Sequence, residues 1–248
     1  MKNLAINGNV YNNIFKYNDK LLLKYSSKGL AAWEHLMKKD MSYANLPVDI
    51  FQLTSDEKKE FPTANSKILL PYYDNYKSFT DENFTKNLRT KDILDLYLKH
   101  IEILKDMQLK DVYFCDLHSS NIMLNENFDI KFIDYDLCIV DDIIEDNVKA
   151  LLNYDMPISE LKNKAQLEGK KALLKIYLNY LSTGSFKPIK SLKLSLLGLR
   201  LDDYSLNNIL KYLDKNNKLD SSYYLEDIIL HLKEINYESP SLSFRKYM

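Results

Sequence analysis

Cysteine is scarce in this chain. Its 248 residues hold two, Cys115 and Cys138, neither in a CxxC pair. Two thiols cannot build a disulfide framework, and both are expected to be free and packed as small hydrophobes. Histidine is sparse too, with four in the chain. His35, His100 and His231 fall singly on expected helices without metal-ligand spacing, which argues against a zinc site. A charge excess is missing too: 34 basic and 35 acidic side chains leave a formal net charge of −1. No run of Lys or Arg is interleaved with aromatics, so a nucleic-acid partner is not expected. No apolar stretch approaches the ~18 residues that a bilayer-crossing helix needs, and the opening MKNLAINGNVY lacks the apolar core of a secretory signal. A cytoplasmic setting without a membrane partner is the expectation. Internal repeats and low-complexity tracts are also absent.

What is present is enough apolar material for a sizeable core, with 46% hydrophobic and 12% aromatic residues. The length suits one large domain or two small lobes sharing a cleft. The first 80 residues read as strands around one helix. Val10–Tyr11 and Ile14–Tyr17 precede Asn18-Asp19, a pair that tolerates the positive φ of a tight hairpin turn, and Lys20–Tyr25 follows as a strand. Ser26–Gly29 opens a helix over Leu30–Lys39, and Val48–Leu53 and Ser66–Tyr73 supply further strands. The polar stretch Asp74–Arg89 reads as a connection. Beyond it a helical period takes over, with Thr90 as N-cap and Ile93, Leu96, Tyr97, Ile101 and Leu104 on one stripe. Later helices are expected over Glu145–Tyr154, Leu167–Ser182 (closed by Gly184), Ser205–Leu213 and Ser222–Ile235.

One stretch specifies chemistry. Tyr113–Asp136 reads YFCDLHSSNIMLNENFDIKFIDYD. Asp116 is followed five residues later by Asn121, and a turn-like Asn125–Asn127 leads to the apolar run Ile130–Ile133, which ends in Asp134. An Asp and an Asn on one loop, with a second Asp after a nearby hairpin, can hold a nucleophilic hydroxyl and Mg²⁺-bound phosphates in line. The stretch resembles the catalytic loop and metal-binding turn of the protein-kinase-like superfamily. Its DLHxxN form is closest to the aminoglycoside and choline phosphotransferase branch and to atypical bacterial protein kinases.

The resemblance implies an α+β, bilobal protein-kinase-like fold. A small β-rich N-lobe would occupy residues 1–80, and a helical C-lobe with the catalytic loop would occupy residues 81–248. It implies an ATP-dependent phosphotransferase that moves the γ-phosphate to a hydroxyl acceptor, with ATP and Mg²⁺ as cofactors. In that scheme Asp116 orients the acceptor hydroxyl and takes its proton. His118 either meets the γ-phosphate or braces the loop. Asn121 and Asp134 supply Mg²⁺ ligands, and Asp136 is a further ligand or a hydrogen-bonding group behind them. Lys24 corresponds to the strand lysine that bridges the α- and β-phosphates, with Glu34 on the next helix as its ion-pair partner.

The sequence departs from the family pattern at two places. Asn7, Asn9 and Asn12 stand where phosphate-covering glycines are expected, with Gly8 the one glycine nearby; Asn tolerates left-handed backbone best among the other residues. Phe114 replaces a histidine two residues before Asp116. Asp141, Asp142, Glu145 and Asp146 could bind a cationic acceptor, but carboxylates at the N-terminus of the next helix are the simpler account. Only about a dozen residues separate Asp134 from that helix and no APE sequence follows, which leaves little room for a peptide platform. The acceptor is therefore a small molecule, or a protein Ser/Thr met by a reduced platform. Two other readings stay open: a pseudokinase acting as a nucleotide- or partner-binding regulatory module, and nucleotidyl transfer.

Overall fold

The structure, a computed structural model, describes residues 3–6, 9–85, 88, 90–152, 156–183, 185–186, 194–196 and 199–201. It is an α+β fold of small antiparallel sheets and helices. Strands β1 (Asn3–Ile6), β2 (Asn9–Lys16), β3 (Leu21–Ser26), β4 (Asp49–Phe51) and β5 (Ser66–Pro71) form an antiparallel sheet in the order β1-β2-β3-β5-β4. The β2–β3 hairpin closes without a positive φ at Asn18 or Asp19. Instead the Asn18 side chain accepts a hydrogen bond from the Lys20 amide, as Asn does in turns.

Strand alternation decides what each face of β3 meets. Leu23 and Tyr25 join Phe15 and Ala64 in a small cluster, where Tyr25 stacks on Phe61 at 3.8 Å. Leu22, Lys24 and Ser26 face the main core. Helix α1 (Leu30–Met37) packs there through Ala32, Trp33 and Leu36, whose spacing puts them on one face. Its capping residue is Gly29, so Ser26 belongs to the strand and not to a helix start. A helix absent from the expectations, α2 (Ser55–Glu60), carries a Thr54–Glu57 capping box; the Thr-x-x-Glu spacing is its sequence signature.

The stretch expected as a plain connection contributes β6 (Lys77–Ser78) and α3 (Glu82–Thr85). Strand β6 pairs with β8 (Ile122–Leu124), which pairs with β9 (Ile130–Phe132). Helix α4 (Thr90–Leu109) begins at Thr90 itself and buries Ile93, Leu96, Tyr97, His100, Ile101 and Met107. Strand β7 (Val112–Phe114) pairs with β10 (Cys138–Val140), followed by α5 (Asp146–Leu152) and α6 (Ile158–Thr183). Helix α6 starts nine residues before the expected Leu167, directly after Pro157, whose carbonyl accepts from the Glu160 and Leu161 amides. A hairpin of β11 (Leu194–Leu196) and β12 (Leu199–Leu201) follows. The helices expected over Ser205–Leu213 and Ser222–Ile235 lie outside the described residues.

The main core is continuous from Leu22, Trp33 and Ile68 through Leu96 and Tyr97 to Phe132 and Tyr135. Backbone hydrogen bonds reinforce it: Phe132 N donates to Tyr43 O at 2.8 Å, and Asn45 N donates to Phe132 O at 2.9 Å. The chain after α1 is thus pinned to the strand that delivers Asp134. No helix among the described residues is long and apolar enough to cross a membrane.

Candidate active site

Two loops cross-linked by backbone hydrogen bonds carry the residues of the DLHxxN stretch. The first leaves β7 at Phe114, passes Asp116 and forms a 3₁₀ turn over Ser119–Asn121. The second leaves β9 at Phe132 and forms a 3₁₀ turn over Tyr135–Leu137. Cys115 N donates to Leu137 O at 3.0 Å and Ile133 N donates to Asn121 O at 2.9 Å, so the loops run side by side. The turn between β8 and β9 is built by Asn125, whose side-chain oxygen accepts from the amides of Asn127 and Asp129. Register between the two loops is thereby fixed by backbone and turn chemistry before any ligand is considered.

Aromatic packing aims the acidic pair. Tyr135 is fully buried and meets Phe114 edge-on at 5.0 Å, while Phe114 also meets Phe132 at 5.7 Å. Phe114 therefore acts as an aromatic wedge. With Tyr135 driven inward, Asp134 and Asp136 on either side are left to face β3. Asp134 adopts φ 66° and ψ 63°. This is a left-handed conformation that costs about 1 kcal/mol outside glycine and that Asp tolerates better than most residues.

Lys24 closes the site from the other side. Its Nζ donates to Asp134 Oδ1 at 2.6 Å and to Asp136 Oδ1 at 2.9 Å, across 110 and 112 positions of sequence. Burial alone would push the Lys24 ammonium down, but Asp136 and Asp134 outweigh it and hold its pKa above the ordinary lysine value. Burial would likewise raise Asp136, yet Lys24, Ser26 and the Ser27 amide hold it below the usual carboxylate range. The expected partner, Glu34, is not there: it lies on the exposed side of α1, opposite Ala32, Trp33 and Leu36, because the helical period turns it away from β3. Lys24 takes its partners from the loop after β9 instead.

Asp116 is half-buried, and its Oδ2 lies 3.5 Å from His118 Nε2, long for a hydrogen bond but within electrostatic reach. His118, opposing partial burial and aided by Asn121, holds the Asp116 carboxyl below its ordinary value. Asn121 is buried and donates its Nδ2 to Asp116 O at 3.0 Å. Among the described residues no donor meets Asn121 Oδ1, which leaves that oxygen for a ligand. With the half-exposed Asp134 it forms an oxygen donor set of the hard kind that Mg²⁺ prefers, and one or two protein ligands suffice for that ion. The residues thus fit the metal chemistry expected of them. No cluster of three or more His, Cys, Asp or Glu suited to a metal occurs among the described residues.

Asn9 and Asn12 belong to strand β2, so neither forms the covering turn; Asn7 and Gly8 lie outside the described residues. The acidic residues after the site are engaged structurally. Asp141 pairs with His35 of α1 and with Lys39 just beyond its end at 2.5 Å each, and Asp142 meets Lys162 at 3.0 Å. The carbonyl of Glu145 starts α5 by accepting from Val148 N and Lys149 N. Its side chain instead accepts from Gly29 N at 2.6 Å, at the entrance of α1. The free Cys115 thiol is pushed up to about 12 by burial and by neighbouring Cys138, consistent with an unreactive packed group.

Sequence reasoning missed Ser26, Ser27 and Lys28. Ser26 Oγ and Ser27 N donate to Asp136, and the buried Lys28 Nζ donates to Cys138 O at 2.9 Å. The one available signal was the period-2 pairing of Ser26 with Lys24 on a common strand face. A scan against protein-family models gives no match, and no curated protein is similar to the chain at a significant level.

Proposed function

We propose that the protein is a kinase-like phosphotransferase that moves the γ-phosphate of ATP to a hydroxyl, in a bilobal arrangement with the cleft between β3 and the Asp116–Asp136 loops. The observation that carries this reading is the meeting of Lys24 with Asp134 at 2.6 Å beside the loop that holds Asp116 and Asn121. A strand lysine, an Asn–Asp oxygen pair and a half-buried Asp on the neighbouring loop are the parts that phosphoryl transfer needs, and positioning with charge stabilisation does most of its work. Asn121 and Asp134 would hold Mg²⁺, which neutralises charge on the phosphates when bound. Lys24 orients the phosphates. Asp116 accepts the acceptor's hydroxyl proton as its oxygen attacks the γ-phosphorus and ADP leaves. His118, half-buried beside Asp116, steadies that carboxylate in its ionised, proton-accepting form.

A second reading has one observation in its favour. Lys24 Nζ sits against Asp134 Oδ1, one of the two oxygens that a metal could take. A chain that kept this contact would be a pseudokinase, binding nucleotide or a partner with little turnover. Incubation with γ-labelled and α-labelled ATP, Mg²⁺ and a broad acceptor panel separates the possibilities. The phosphotransferase reading expects acceptor labelled only from γ-ATP. Label from α-ATP would mean nucleotidyl transfer, and no labelled acceptor would favour the pseudokinase.

A further inference from the structure

Asp136 and Asp134 flank one tyrosine but differ in surroundings. The Asp134 side chain is 47% exposed, and Lys24 is its one side-chain partner among the described residues. The Asp136 side chain is 13% exposed and its oxygens are taken up by the protein. Oδ1 accepts from Lys24 Nζ at 2.9 Å and from Ser26 Oγ at 2.9 Å. Oδ2 accepts from Ser27 N at 3.2 Å, with Ser27 Oγ at 3.4 Å. Ser27 Oγ is itself held by Asn147 Nδ2 of α5 at 3.0 Å. A carboxylate so engaged has no lone pair directed at a metal.

Building on the phosphotransferase reading, we infer that Asp136 is the positioning residue for Lys24, in the role that the family pattern would give Glu34, and that it is not a metal ligand. An ammonium has three donors. Two are used here, by Asp134 and Asp136, leaving one for phosphate. When Asp134 turns to a metal, Asp136 still holds Lys24, because its other contacts do not involve the metal. The partner of the lysine then sits on the metal-binding loop itself and not on α1. Movement of α1 therefore does not break the ion pair, and the lysine stays aligned whenever the Tyr135–Leu137 turn is folded.

A double-mutant cycle on Mg·ATP affinity, measured by calorimetry, tests this. Lys24→Met and Asp136→Asn should each weaken binding by about tenfold or more, the size of one lost charge-assisted contact. The double variant should bind within about twofold of Lys24→Met alone, since Asp136 acts only through Lys24. Losses that multiply would overturn the positioning role, as would an equal loss from Glu34→Gln. If Asp136→Asn does not fold, Ser26→Ala decides, because it removes one donor to Asp136 and leaves both charges. Weaker binding with Lys24 present and no further loss in the Lys24→Met background supports the role; an equal loss in both backgrounds, or none, overturns it. Wild-type protein that binds no Mg·ATP would remove the phosphotransferase reading and this role together, whereas wild-type binding with multiplying losses removes the role alone.

Discussion

Replacing His100 by Gln should make the fold less sensitive to acid. His100 lies on α4, fully buried, ringed by Phe79, Phe132 and Tyr177. Its Nδ1 lies 2.7 Å from Leu96 O and 3.0 Å from the Tyr177 hydroxyl; the carbonyl can only accept, which assigns the proton to Nδ1, and Nε2 is buried without a partner. Protonating Nε2 would create an unpaired buried charge, and burial pushes the imidazole from 6.5 down to about 4. The unfolded chain therefore takes up this proton at higher pH than the folded chain. The stabilisation is complete above the unfolded value of 6.5 and is lost as pH falls toward 4. The two values give a loss of about 2 kcal/mol at pH 5 and about 3 kcal/mol at pH 4. Urea unfolding of wild type and His100→Gln at pH 7, 5 and 4 isolates this contribution, since every other titrating group is common to both. Parallel pH profiles would refute the reasoning. The consequence reaches the site, because Phe132, whose edge meets His100 at 5.7 Å, is the last residue of β9 before the turn to Asp134.

Two further outcomes follow from local chemistry. ATP binding should weaken sharply when Mg²⁺ is replaced by excess EDTA, and Asp134→Ala should remove that dependence; calorimetry giving equal wild-type affinity in both conditions would dismiss Asn121 and Asp134 as metal ligands. Thr54→Ala should cost about 1 kcal/mol in urea unfolding, because it breaks the capping box that starts α2; an unchanged midpoint would show that the box contributes nothing there.

Much of the mixed α+β architecture was legible in the chain because its signals are local. The 3.6-residue stripe of α4, the turn chemistry of Asn125 and the apolar runs of β3 and β5 each specify an element without distant help. Asp116, Asn121 and Asp134 were likewise visible, since their spacing falls within one continuous stretch. Glu34 was misread although the spacing of Ala32, Trp33 and Leu36 already marked the inward face of α1; Trp33 and Leu36, pulled into the core, turn Glu34 outward. Asp136 as the partner of Lys24 was illegible for the opposite reason, being a contact across 112 positions set by the burial of Tyr135. The acidic residues after the site looked like helix-start carboxylates or a cation site. Asp141 and Glu145 instead brace α1, a tertiary use that no sequence period announces.

Turnover of Asp116→Asn tests the phosphoryl-transfer claim most directly, because the change keeps size and polarity while removing the proton acceptor. With an acceptor that wild type labels from γ-ATP, the variant should lose ~10²–10⁴ in rate. Its affinity for Mg·ATP should stay at the wild-type level, since the proposed mechanism assigns Asp116 to the acceptor and not to the metal. Undiminished turnover in the variant would contradict the mechanism.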